Sequence, residues 1–236
     1  MYFINFSAIK FINKIVKFVN FMHNVVEQFN LIKKEIHQKN KETEIIVVTK
    51  TFSLEKVKPL VGIGHKHFGE NKVQEAIEKW SLLKENTPNI KLHMIGKLQS
   101  NKVKNVVPLF DYIHSLDNYK LAEKIAKEQE KFKKKIKLFI QVNIGEEEQK
   151  SGVNQKDLPE FFSNCIRNLN LDIIGLMCLP PMDKDPKIFF KKMQNLKKDL
   201  GLKELSMGMS GDYLEAMNYG STFVRIGSKI LGNRSQ

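Results

Sequence analysis

Eight times along this chain a short run rich in β-branched and aromatic residues gives way to a segment with helical spacing or a loop-to-helix signal, and that alternation limits the fold most. The β-rich runs cover 44–50, 66–71, 91–98, 111–116, 137–144, 171–179, 204–210 and 222–227. Between them apolar residues fall three and four apart: Val73, Ala76, Ile77 and Trp80; Leu121, Ala122 and Ile125; Leu158, Phe161, Phe162, Cys165, Ile166 and Leu169; Phe189, Met193, Leu196 and Leu200. Each set makes one helical stripe. Parallel strands need crossover helices, which bury both faces of every strand. Eight such units in 236 residues predict an α/β protein with a single closed (β/α)8 barrel, an open doubly wound sheet being the alternative. Neither GxGxxG nor GxxxxGK[ST] occurs, so two common nucleotide-binding readings have no sequence support.

The barrel is expected to occupy residues 22–236 as one domain, because the last run ends at Gly227 and leaves nine residues, enough for a closing helical turn. An extra N-terminal helix opens at Met22 on the stripe Val25, Val26, Phe29, Ile32 and Ile36. Residues 1–21 form an apolar, basic leader. Lys10, Lys14 and Lys17 interrupt it too often for a membrane span, and it fits neither a secretory signal nor an Arg- and Ser-rich presequence. A non-native extension and a targeting segment are the two readings left.

The net charge is +13, carried mostly by lysine. Lysine runs such as 133–137 and 191–198 lie beside helical patterns without interleaved aromatics, which predicts solvated faces and no nucleic-acid partner. A basic scaffold for an acidic partner or a membrane surface is a separate reading, marked by salt dependence. The only two cysteines, Cys165 and Cys178, lie in apolar stretches without CxxC, so neither a disulfide framework nor a zinc site is expected. A cytoplasmic location follows, with an organelle left open by the leader.

In a barrel of this kind chemistry gathers at the carboxyl ends of the strands. Lys50 ends the first run after Ile45, Ile46, Val47, Val48 and Thr49, which carries its amine to the barrel mouth. Partial desolvation there favours a neutral amine, the form that condenses with an aldehyde. Gly208, Met209, Ser210 and Gly211 make a small-residue turn after the seventh run, with a short helix over 212–218. Arg225, Ile226, Gly227 and Ser228 make a second turn after the eighth. Adjacent turns of this composition form an anion cup. An amine for an aldehyde beside a cup for a phosphate suits pyridoxal 5'-phosphate. His93 reads as a core histidine, His65 and His67 lack metal-ligand partners, and no metal is assigned. Glu70 reads as a structural ion pair or a backbone contact, and Glu146, Glu147 and Glu148 as a solvated loop near the mouth.

The stretches Val48-Thr49-Lys50, His67-Phe68-Gly69-Glu70-Asn71, His93-Met94-Ile95-Gly96, Leu98-Gln99-Ser100-Asn101-Lys102, Lys150-Ser151-Gly152, Gly208-Met209-Ser210 and Val224-Arg225-Ile226-Gly227 resemble the pyridoxal-phosphate homeostasis proteins. The resemblance runs from about Met22 to Arg234 and implies a barrel like the N-terminal domain of alanine racemase. It implies pyridoxal 5'-phosphate held as a Schiff base on Lys50, with Ser210, Gly227 and Ser228 as phosphate ligands. It also places Asn71 near the ring, Met209 and Ile226 near its edge, and Arg225 facing the pyridine nitrogen. A guanidinium only donates hydrogen bonds and stays charged, so it would keep that nitrogen unprotonated and the ring a poor electron sink. Racemases of this type take a second acid/base from an added β domain, for which this chain has no room. The expectation is therefore a monomeric, non-catalytic protein of vitamin B6 homeostasis that serves PLP-dependent apoenzymes. The alternative is a weak or narrow-specificity PLP-dependent amino-acid racemase.

Overall fold

A computed structural model describes residues 6–232, in which all eight β-rich runs become strands of one closed parallel barrel. After α1 (Phe6–Lys39) come β1 (Glu44–Val48), α2 (Leu54–Gly62), β2 (His67–Glu70), α3 (Val73–Asn86) and β3 (Lys91–Met94). A 3-10 turn, Ser100–Lys102, leads into α4 (Val103–Leu109), β4 (Tyr112–Leu116), α5 (Tyr119–Phe132), β5 (Lys137–Val142) and α6 (Leu158–Arg167). The circuit finishes with β6 (Asp172–Cys178), α7 (Pro186–Asp199), β7 (Glu204–Met209), α8 (Tyr213–Asn218), β8 (Phe223–Ile226) and α9 (Ser228–Leu231). Pairing of β1 with β8, Ile46 opposite Arg225 and Val47 opposite Ile226, closes the ring.

Strand alternation divides the core. Ile45, Val47, Val224 and Ile226 join the large cluster shared with the helices, while Ile46, Tyr112, Phe139, Met177 and Phe223 form a smaller cluster of their own. Three histidines are tied into that smaller cluster's ring contacts, a polar content unusual for a barrel interior usually filled by Val, Ile and Leu.

The N-terminal helix differs from expectation, for it begins at Phe6 and passes through Met22 unbroken. No glycine or proline lies between residues 6 and 39, so nothing in the sequence stops it. The leader's first five residues and residues 233–236 lie outside the described residues. Val25, Phe29, Ile32 and Ile36 bury one face of α1, each contributing about 1.5–3 kcal/mol. The Tyr213 hydroxyl donates to Glu35 and ties the same helix to α8. No described helix is long and apolar enough to cross a membrane.

Candidate functional site

At the carboxyl ends of the strands lies a cavity of about 760 Å³ lined by Lys50, Asn71, Lys150, Met209, Ser210, Arg225, Gly227 and Ser228. Val48, Phe52, Ile95, Leu179, Pro180 and Met182 supply its apolar surface. This combination of apolar wall and a few convergent polar groups is the ordinary make-up of a small-molecule site.

The backbone on both sides of Lys50 is fastened. Glu70 is fully buried, and its Oε1 accepts from the Thr49 hydroxyl at 2.6 Å, Lys79 Nζ at 2.8 Å and the Trp80 indole at 2.9 Å. Lys79 also donates to the Thr49 carbonyl and to Glu75, which in turn accepts the Thr51 amide. Glu70 is thus a structural ion pair that anchors the lysine's neighbours. Thr51 sits at φ 67°, a left-handed conformation that is an outlier for a β-branched residue and turns the chain sharply just after the lysine.

The two small-residue turns meet across the mouth. Ser210 and Ser228 lie 3.3 Å apart, oxygen to oxygen. Gly208, at φ +91°, lets the first turn close: a Cβ there would lie 2.7 Å from Ala216 Cβ and 2.9 Å from Tyr213 Cα. Asp212 accepts the Met209 amide and fixes the turn from beneath. Arg225 is buried, with Nη1 on the Ser206 carbonyl and hydroxyl at 2.7 and 2.6 Å and Nη2 on the Cys178 carbonyl at 2.8 Å. Asn71 presents a buried Oδ1 that has no partner among the described residues.

Seven of the eight sequence-predicted site residues line this one cavity. Ile226 does not. Its side chain is fully buried in the helix-facing core, because it alternates with inward Arg225 along β8, so only its backbone could reach the mouth. Lys150 is a lining residue that strand-end reasoning passed over. Its loop folds back along β5, where Val153 pairs with Val142 and the Asn143 side chain bonds the Glu147 backbone. Lys150 pairs with Glu147 at 2.6 Å, which binds the acidic run to the loop rather than leaving it wholly solvated.

The barrel is of the alanine racemase N-terminal domain type, and the profile of that family matches residues 22–235. The chain is 37% identical over 202 residues to the pyridoxal phosphate homeostasis protein of Aquifex aeolicus, covering 81% of this chain and 87% of that one. It is 33% identical over 223 residues to the protein of the same name from Vibrio alginolyticus, covering 90% and 96%. This chain belongs to the pyridoxal phosphate homeostasis protein family. PipY of Synechococcus elongatus, solved without PLP, superposes with a TM-score of 0.82 at 31% identity, covering 88% of this chain and all 100% of PipY. PipY with PLP bound gives 0.80 at 29%. An alanine racemase from Corynebacterium glutamicum shares the fold at 14% identity and a TM-score of 0.69, over 89% of this chain and 61% of its own.

Proposed function

We propose that this protein binds pyridoxal 5'-phosphate at the barrel mouth and serves its homeostasis in the cytosol as a monomeric carrier for PLP-dependent apoenzymes. The observation that carries the reading is the convergence, in one cavity, of an anchored lysine, a buried arginine and a pair of serines 3.3 Å apart. The residues fit the group: an amine meets the aldehyde, small hydroxyl- and amide-bearing turns meet the phosphate, and the orphaned Asn71 Oδ1 needs a partner. In this reading Lys50 condenses with the aldehyde to a Schiff base and one water is released. Ser210, Gly227 and Ser228 hold the phosphate, Met209 and Asn71 flank the ring, the Ile226 backbone supports its edge, and Arg225 faces the ring nitrogen.

Two features support a carrier over an enzyme. Arg225 can only donate, which leaves the ring nitrogen unprotonated. The titratable groups lining the cavity among the described residues are Lys50, Lys150 and Arg225, and Lys150 is already paired with Glu147. Cys165 and Cys178 are both free and buried, which fits a reducing compartment. The test is an absorption spectrum with and without added pyridoxal phosphate, then borohydride reduction and peptide mapping. A cofactor band and an adduct confined to Lys50, both lost in Lys50→Ala, are expected. No adduct with excess cofactor defeats the binding reading, and sustained racemisation of amino acids lost in Lys50→Ala defeats the carrier reading.

A further inference from the structure

Outside the cavity, the most connected group of titratable side chains runs through the barrel interior. His67 Nδ1 lies 2.9 Å from His93 Nε2, His93 Nδ1 lies 2.9 Å from His114 Nε2, and His114 Nδ1 lies 2.9 Å from the Ser206 hydroxyl, which Arg225 also contacts. At the other end His67 Nε2 is 3.8 Å from Glu44, in a smaller hollow of about 280 Å³ at the amino-terminal rim. The row therefore joins two cavities at opposite ends of the strands.

Its polarity can be derived. A neutral imidazole has one donor and one acceptor, so a row of them must donate in one direction. Arg225 is a donor alone and the Glu44 carboxylate an acceptor alone. The order Arg225 to Ser206 to His114 to His93 to His67 satisfies each hydrogen bond and leaves the His67 Nε2–H facing the Glu44 carboxylate at 3.8 Å, with all three rings carrying their proton on Nε2. The reverse order strands the Ser206 hydroxyl proton and turns the His67 lone pair toward a carboxylate. A cationic ring at His93 or His114 would make His114 donate to Ser206, whose oxygen would then accept from both His114 and Arg225 and leave its own proton without an acceptor in the row. Burial holds both rings well below the ordinary histidine value, with Arg225 adding to the effect at His114. Stacking against Tyr112 (4.2 Å, 7°) and Phe139 (4.2 Å, 15°) fixes the planes of His93 and His114.

We propose that His67, His93 and His114 form a one-way hydrogen-bond relay that positions Arg225, by drawing the Ser206 proton away and presenting that oxygen's lone pairs to the guanidinium. The consequence for cofactor, which rests on the function proposed above, is that the relay fixes the N–H groups Arg225 aims at the ring nitrogen. These histidines are positioning residues, for none of them lines the cavity.

Two NMR measurements on cofactor-free protein test the relay directly. Imidazole nitrogen shifts at neutral pH should report the Nε2–H tautomer at all three rings, and the Arg225 guanidinium protons should exchange slowly. In His114→Phe, which keeps a ring against Phe139, and in Ser206→Ala, the guanidinium protons should exchange measurably faster, although the Ser206 and Cys178 carbonyls still hold them, while thermal stability shows each variant folded. An Nδ1–H or cationic ring in the parent, or an Arg225 signal unchanged in both folded variants, overturns the proposal. With cofactor added, both variants should shift the absorption band and bind about tenfold more weakly than the parent. Unchanged band and affinity in variants whose guanidinium has loosened would overturn the consequence for cofactor. Failure of the parent to take up pyridoxal phosphate would defeat the cavity reading alone, since the NMR results decide the relay without it.

Discussion

Ser210 and Ser228 come from turns eighteen residues apart in sequence, and their 3.3 Å contact exists because β7 and β8 are neighbours in the barrel. Each hydroxyl has a lone pair and a rotatable proton to offer a phosphate oxygen. A hydrogen bond to a charged group is worth about 1.5–3 kcal/mol, so Ser210→Ala and Ser228→Ala should each weaken pyridoxal phosphate binding roughly ten- to hundredfold. The pair should be non-additive, the double variant losing less than the product of the two, because the hydroxyls already touch. A cofactor titration followed by absorbance checks both statements, and binding unchanged in either single variant would remove that serine from the cup. Gly208 offers no such latitude. Its positive φ and the 2.7 Å approach of Ala216 predict that Gly208→Ala destabilises the fold by roughly 2 kcal/mol, read by urea unfolding.

The element that matters most to the site is the end of β1, since Lys50 lies two residues beyond it, between two threonines fastened by Glu70, Lys79 and Glu75. Lys79 is 6% exposed and Glu70 fully buried. Removing one partner of such a pair leaves an uncompensated charge, so Lys79→Met should cost about 3–5 kcal/mol and slow trapping of cofactor on Lys50. Glu70→Gln combined with Lys79→Met should recover much of that stability in denaturant unfolding; a double variant no better than the single would show that the charge is not what is lost. Strands were the legible part of the sequence, because burial on both faces makes runs such as Ile45 to Val48 continuously apolar. Their ends were less so. The run 44–50 closes at Val48 because Thr51 turns left-handed. The run 91–98 closes at Met94, and by Gly96 the chain is packed so tightly on the Asn71 backbone that a Cβ would lie 2.4 Å from its carbonyl. Lys50, Ser210, Arg225, Gly227 and Ser228 could be read as strand-end residues, whereas Lys150 could not, because a loop folded back on β5 brings it there. Period-two alternation was the available signal that Ile226 faces away from Arg225. The histidine row was illegible for a different reason: His67, His93 and His114 stand 26 and 21 residues apart, and only barrel closure makes them neighbours.

For the whole molecule the buried His93 and His114 and the partly buried His65 and His67 tie stability to pH. His65 packs between Phe29 of α1 and Phe68 of β2, with ring centroids at 4.7 and 5.0 Å, and burial lowers its pKa to about 4 from an ordinary 6.5. His67, His93 and His114 are lowered as well, each chiefly by desolvation. Above pH 6.5 these rings are neutral in both the folded and the unfolded chain and make no difference to stability. Below it the unfolded chain takes up protons that the fold refuses, so stability falls as the pH drops, and for His65 the loss is complete only near pH 4. His65 alone then contributes a loss on the order of 2 to 3 kcal/mol across that window. Urea unfolding at intervals from pH 7.5 to pH 4.5 should therefore show stability declining with a steep onset below pH 6.5. His65→Gln, which keeps a polar group able to donate to the His67 carbonyl but cannot titrate, should flatten that decline while leaving the values above pH 7 nearer the parent's. If the parent's stability is level between pH 7 and pH 5, the folded barrel accepts the protons as readily as the unfolded chain, and these histidines do not set its acid stability.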